Sequence, residues 1–117
     1  MLLALTAGCG GGVYQDATVP EGPPPAISLV AVAPATPFRG DPVQLVATVS
    51  ASNGIDYVSF YRLDYYGPSL LGTVGSPPAT WGTSIPVNAG STVSYLARAC
   101  DALGKCTDSQ AVTLAVY

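Results

Sequence analysis

The sequence predicts an all-β protein: a two-sheet antiparallel β-sandwich of about seven strands over 27–117, preceded by a disordered Pro/Gly-rich tether. Three observations carry this. Apolar and polar residues alternate with a period of two in short runs, and no segment keeps a helical period for three turns. The runs are separated by turn residues, drawn from 13 Gly and 11 Pro. Charged residues make up 9% against 49% hydrophobic, a balance that suits a β-rich extracellular domain.

The strands follow in order. Ile27 to Val32 alternates and ends where Pro34 and Pro37 forbid regular pairing. Beyond Arg39-Gly40-Asp41-Pro42, the residues Val43, Leu45, Ala47 and Val49 share the face expected to be buried. Ser52-Asn53-Gly54 turns the chain, after which Val58 and Phe60 point inward and Tyr57, Ser59 and Tyr61 outward. Asp64-Tyr65-Tyr66-Gly67-Pro68 breaks that strand. Leu70 to Val74 reads as a short edge strand and Thr80 to Ile85 as the next, with Asn88-Ala89-Gly90 as a turn. Val93, Tyr95, Ala97 and Ala99 form another inward row, and Val112, Leu114 and Val116 the last.

The N-terminus has a different character. Leu5-Thr6-Ala7-Gly8-Cys9, behind a short apolar start, resembles the lipobox of bacterial lipoproteins. That resemblance implies a truncated signal peptide over 1–8, lipidation of Cys9, and a tether over 9–26 whose prolines favour an extended chain. It also implies attachment to the bacterial cell envelope outside the cytoplasm, the membrane being engaged through the lipid. Gly10 after Cys9 favours the outer membrane or cell surface.

Lipidation of Cys9 removes the odd member of 3 cysteines. Cys100 and Cys106 then pair as a disulfide across a hairpin, because opposed residues in an antiparallel pair lie near the spacing such a bond requires. A metal at these cysteines lacks further ligands: the chain has 0 His.

The second resemblance is to bacterial Ig-like domains. It rests on Gly54-Ile55-Asp56-Tyr57-Val58-Ser59-Phe60-Tyr61, Leu71-Gly72-Thr73, Pro78-Ala79-Thr80-Trp81 and Ala97-Arg98-Ala99-Cys100-Asp101, in that order along Ile27 to Tyr117. Val93 holds the place of the tyrosine many such sandwiches carry early in the penultimate strand, with Tyr95 two residues on. The family implies a non-catalytic surface module.

Composition narrows the chemistry. Without histidine there is no Ser-His-Asp or Cys-His arrangement. The acidic residues Asp16, Glu21, Asp41, Asp56, Asp64, Asp101 and Asp108 fall in the tether, in turns or at strand ends, where Asp bonds backbone amides. No dense acidic loop supplies the six to eight oxygens calcium needs. The chain is therefore expected to be no enzyme and to use no cofactor and no metal. A net charge of -3 without a basic cluster argues against nucleic acid.

The aromatic residues leave two readings. Tyr57 and Tyr61, with Arg98 beside them and Tyr65 and Tyr66 beyond, form a candidate surface for a polysaccharide or a partner protein. Tyrosine also packs across strands for its own sake. Trp81 is assigned to packing between the sheets in preference to ligand stacking. The expected function is a cell-envelope module for adhesion, spacing or protein contact, and the alternative is a carbohydrate-binding accessory module.

Overall fold

A computed structural model describes residues 23–117. The expected signal segment, Cys9 and the tether up to residue 22 lie outside the described residues.

The alternating runs form eight strands: β1 (Ala26–Val32), β2 (Pro42–Ser50), β3 (Ile55–Asp64), β4 (Gly67–Val74), β5 (Ala79–Ser84), β6 (Thr92–Asp101), β7 (Cys106–Asp108) and β8 (Val112–Ala115). They make two antiparallel sheets. One has the order β1-β2-β5, and the other runs β4-β3-β6 with β7 and β8 pairing successive stretches of β6. The strand count exceeds the expected seven because the last strand is in two pieces. Ser109 divides it: its amide donates to Ala97 O at 2.7 Å and its Oγ accepts from Ala97 N at 3.0 Å, so a side chain replaces a ladder carbonyl. The first strand also starts at Ala26, paired with Ser50, within the segment expected as tether.

The inward rows are buried as the alternation requires. Val43, Leu45, Ala47, Val58, Phe60, Val93, Tyr95, Ala97 and Ala99 form the core, closed by Ile85 and Val116. Val49, Val112 and Leu114 pack against it half-buried. Ser59 faces outward yet is buried, its Oγ 3.1 Å from Thr73 Oγ1 on the neighbouring strand.

Trp81 joins the sheets. It lies on β5 opposite Leu45, while its indole covers Gly72 on β4 of the other sheet. A β-carbon at Gly72 would stand 2.2 Å from the indole Cζ2, so only glycine admits the ring here. Leu71 is the extra residue of a β-bulge beside it, between the pairs Phe60↔Gly72 and Tyr61↔Leu70.

The strand directions define two poles. At the proximal pole the chain enters β1, β2 turns into β3, and β6 turns into β7. There Ala102 N donates to Gly54 O at 3.3 Å, docking the Cys100–Cys106 hairpin on the β2–β3 turn. At the distal pole lie the β3–β4 turn Tyr65-Tyr66 and the β5–β6 loop. Arg39 steadies that loop by donating from Nε to Ala89 O at 2.6 Å.

Candidate functional site

The structure divides the tyrosine surface into two places. Tyr57 and Tyr61 stand on the outer face of β3, opposite Cys100 and Leu96 of β6, with Arg98 between them opposite Ser59. Arg98 is held in place by an ion pair. Its Nε donates to Asp108 Oδ1 at 2.6 Å and Nη2 to Oδ2 at 3.2 Å, a bidentate pair across β6 and β7. This bonding holds the Asp108 carboxyl below its ordinary pKa and the Arg98 guanidinium above its own.

The disulfide borders this face. Cys100 and Cys106 are directly opposed in register, their Cα atoms 4.1 Å apart, and bonded. Asp101 closes the hairpin beyond them, its Oδ1 accepting from Leu103 N and Lys105 N, each at 2.9 Å. Burial pushes the Asp101 carboxyl up, but the amides of Lys105 and Leu103, together with the Asn53 side chain, outweigh it and hold the pKa below the usual range.

Tyr65 and Tyr66 occupy the two-residue turn of the β3–β4 hairpin, 93% and 97% exposed. Their ring centroids are 4.9 Å apart and nearly perpendicular, at 86°. At about 3.3 Å per residue the end of β3 lies about 23 Å from Tyr57 and about 10 Å from Tyr61, so the exposed pair lies beyond the end of the outer-face pair.

The hairpin turn instead forms the lip of a cleft of about 470 Å³, lined by Arg62, Asp64, Asn88 and Ser94 among others. Arg62 lies opposite Tyr95 and so continues the inward row of Phe60. Its Nε donates to Asp64 Oδ1 at 2.7 Å and Nη2 to Oδ2 at 3.2 Å, and Ser69 Oγ donates to Oδ2 at 2.5 Å. The Arg62 hydrogen bond, then that from Ser69, lowers the Asp64 pKa, while Asp64 raises that of Arg62. Among the described residues, Asp64 is the one carboxylate lining the cleft. The cleft can therefore offer fixed donors, fixed acceptors and aromatic rings at no net charge.

Arg62, Asp64 and Asn88 carry no expectation from the sequence as ligand residues. The available signal was parity: Arg62 and Asp64 are two apart on one strand, hence on one face. Tyr95 lies beneath them, fully buried, and its hydroxyl finds no partner among the described residues. Burial raises its pKa. The displaced tyrosine thus makes no corner hydrogen bond here. Comparison with protein families and with curated proteins returns no match to the chain.

Proposed function

We propose that the chain is a non-catalytic module of the bacterial cell envelope, anchored through a lipid on Cys9, which presents an Ig-like sandwich for adhesion, spacing or protein contact. The observation that carries this reading is the cysteine arrangement. Cys100 and Cys106 are opposed and bonded, which leaves Cys9 as the remaining one of 3 cysteines. A disulfide of this kind persists in oxidising compartments outside the cytoplasm. The strand groups support the family resemblance: β1, β2 and β5 correspond to strands A, B and E of Ig sandwiches, and β3, β6 and β7–β8 to C, F and G. Here β4 sits beside β3 instead of joining the A-B-E sheet.

The poles favour presentation. A chain anchored upstream of β1 enters at one pole and directs the Tyr65-Tyr66 turn away from the anchor. The test is membrane fractionation of the protein expressed in a bacterial host from the gene with its upstream codons. The native chain is expected with the membranes and Cys9→Ser in the soluble fraction, since acyl chains supply the anchor. Equal membrane association of both removes the lipoprotein reading.

A second reading, a glycan-binding accessory module, is favoured by the exposure of Tyr65 and Tyr66 beside a polar cleft. Amphipathic rings next to oriented polar groups suit sugar faces and hydroxyls.

A further inference from the structure

We infer that the distal cleft, not the outer face of the larger sheet, is a binding site for neutral glycan chains. This rests on the glycan-binding reading and gives it a site.

The turn residues are the first argument. A two-residue hairpin turn favours Gly, Asn or Asp, which tolerate its backbone geometry. Here both positions are tyrosine, and neither ring is covered by the fold, at 93% and 97% exposure. The turn needs no aromatic ring, and paired exposed rings reduce solubility. Set perpendicular at 4.9 Å, they offer one flat face and two hydroxyls to a ligand crossing the lip. The C–H face of a pyranose ring matches such a surface.

Arg62 and Asp64 are the second. Their bidentate pair and the Ser69 hydroxyl fix both planar groups before any ligand arrives. Arg62 spends Nε and one Nη2 hydrogen on this pair, leaving further N–H donors, and Asp64 keeps acceptor capacity. A sugar hydroxyl both donates and accepts, so a fixed donor beside a fixed acceptor recognises it. The pair carries no net charge, which suits an uncharged chain. Asn88, across the cleft, adds an amide of both characters.

The outer face carries a like pair, Arg98 with Asp108, but has no cleft beside it among the described residues, and its rings are less open: Tyr57 is 36% exposed and Tyr61 less. A protein partner would call for a largely apolar or charge-complementary patch, whereas this cleft sets oriented polar groups beside its two exposed rings.

The test uses the full chain carrying Cys9→Ser, titrated with the neutral probes cellohexaose, chitohexaose, maltohexaose and xylohexaose and with polygalacturonate as an anionic probe, while amide chemical shifts are followed. Binding of at least one probe is expected, with shifts at Arg62, Asp64, Tyr65, Tyr66 and Asn88. Tyr65→Ala with Tyr66→Ala should weaken it by about tenfold or more, equivalent to about 1.4 kcal/mol. The melting temperature should not change, because both rings are outside the fold's contacts. Tyr57→Ala with Tyr61→Ala should leave affinity within about twofold. Shifts and losses confined to Tyr57, Arg98 and Tyr61 would overturn the site and keep the glycan reading. No binding of any probe at millimolar concentration would overturn both. Binding only to an anionic chain such as polygalacturonate would overturn the neutral class.

Discussion

Replacing Gly72 by alanine adds one methyl group at the contact that joins the two sheets. A β-carbon there would lie 2.2, 2.3 and 2.6 Å from Cζ2, Cη2 and Cε2 of Trp81. Ordinary carbon contacts lie at about 3.5–4.0 Å, so the indole or strand β4 must retreat by more than about 1 Å. Overpacking of this kind costs about 1–3 kcal/mol, and three ring atoms in conflict place Gly72→Ala near the upper end. Gly75 is the control, since a methyl group there meets nothing within 4 Å. Gly75→Ala should be neutral or stabilising by about 0.4–1 kcal/mol through the unfolded state. Trp81→Ala alone should cost about 2 kcal/mol, below the range for fully buried tryptophan because the ring is half-buried. In the double variant the methyl enters vacated space, so Gly72→Ala should add almost nothing to Trp81→Ala. Urea melts followed by circular dichroism measure all four proteins, and unchanged m-values would mark the differences as stability. Additive costs, within about 0.5 kcal/mol, would refute the indole–glycine contact.

Four other outcomes are expected. Phe60→Ala should cost about 3–5 kcal/mol and Tyr61→Ala under about 1 kcal/mol; the reverse order in denaturant melts would mean that β3 is shifted by one residue. Replacing Cys100 and Cys106 together by serine should cost about 2 kcal/mol without abolishing the fold, and peptide mapping without reduction should recover the two cysteines linked. Tyr95→Phe should leave the melting temperature unchanged or raise it, by up to about 1 kcal/mol of stability, because it deletes a buried hydroxyl without a described partner; a clear loss would reveal a partner for that hydroxyl. Asp64, Asp101 and Asp108 have lowered pKa values when folded, so their stabilisation is complete above the unfolded carboxylate pKa of about 3.9. It is lost as pH falls through the lower folded values, and a urea midpoint constant from pH 7 to about 2 would contradict these pairings.

Alternation made the core legible because one face of each strand is dry. Val58 and Phe60 were separable from Tyr57 and Tyr61 by parity alone, and the same parity placed Tyr95 inside. The hairpin disulfide was legible from spacing, since residues flanking a short loop become opposed. Ser59 shows the limit: its parity is outward, but cross-strand neighbours cover so small a side chain. The split of the last strand depends on a serine hydroxyl acting as a backbone acceptor, which no periodicity records. The candidate site was harder. Tyr65 and Tyr66 follow Tyr57 and Tyr61 in sequence, yet the strand carries them to its distal end, and the cleft's remaining wall comes from the β5–β6 loop and the start of β6, 20 or more positions later.

The antiparallel pairing of β1 with β2 has a mechanical consequence. Their seven pairs run from Ala26↔Ser50 at one pole to Val32↔Gln44 at the other. Tension between the segment ahead of Ala26 and anything gripped at the Tyr65-Tyr66 turn pulls along these strands, not across them. The ladder is then sheared, with its hydrogen bonds resisting together, where a perpendicular pull would open them one after another like a zipper. Under traction such a domain should yield late and abruptly.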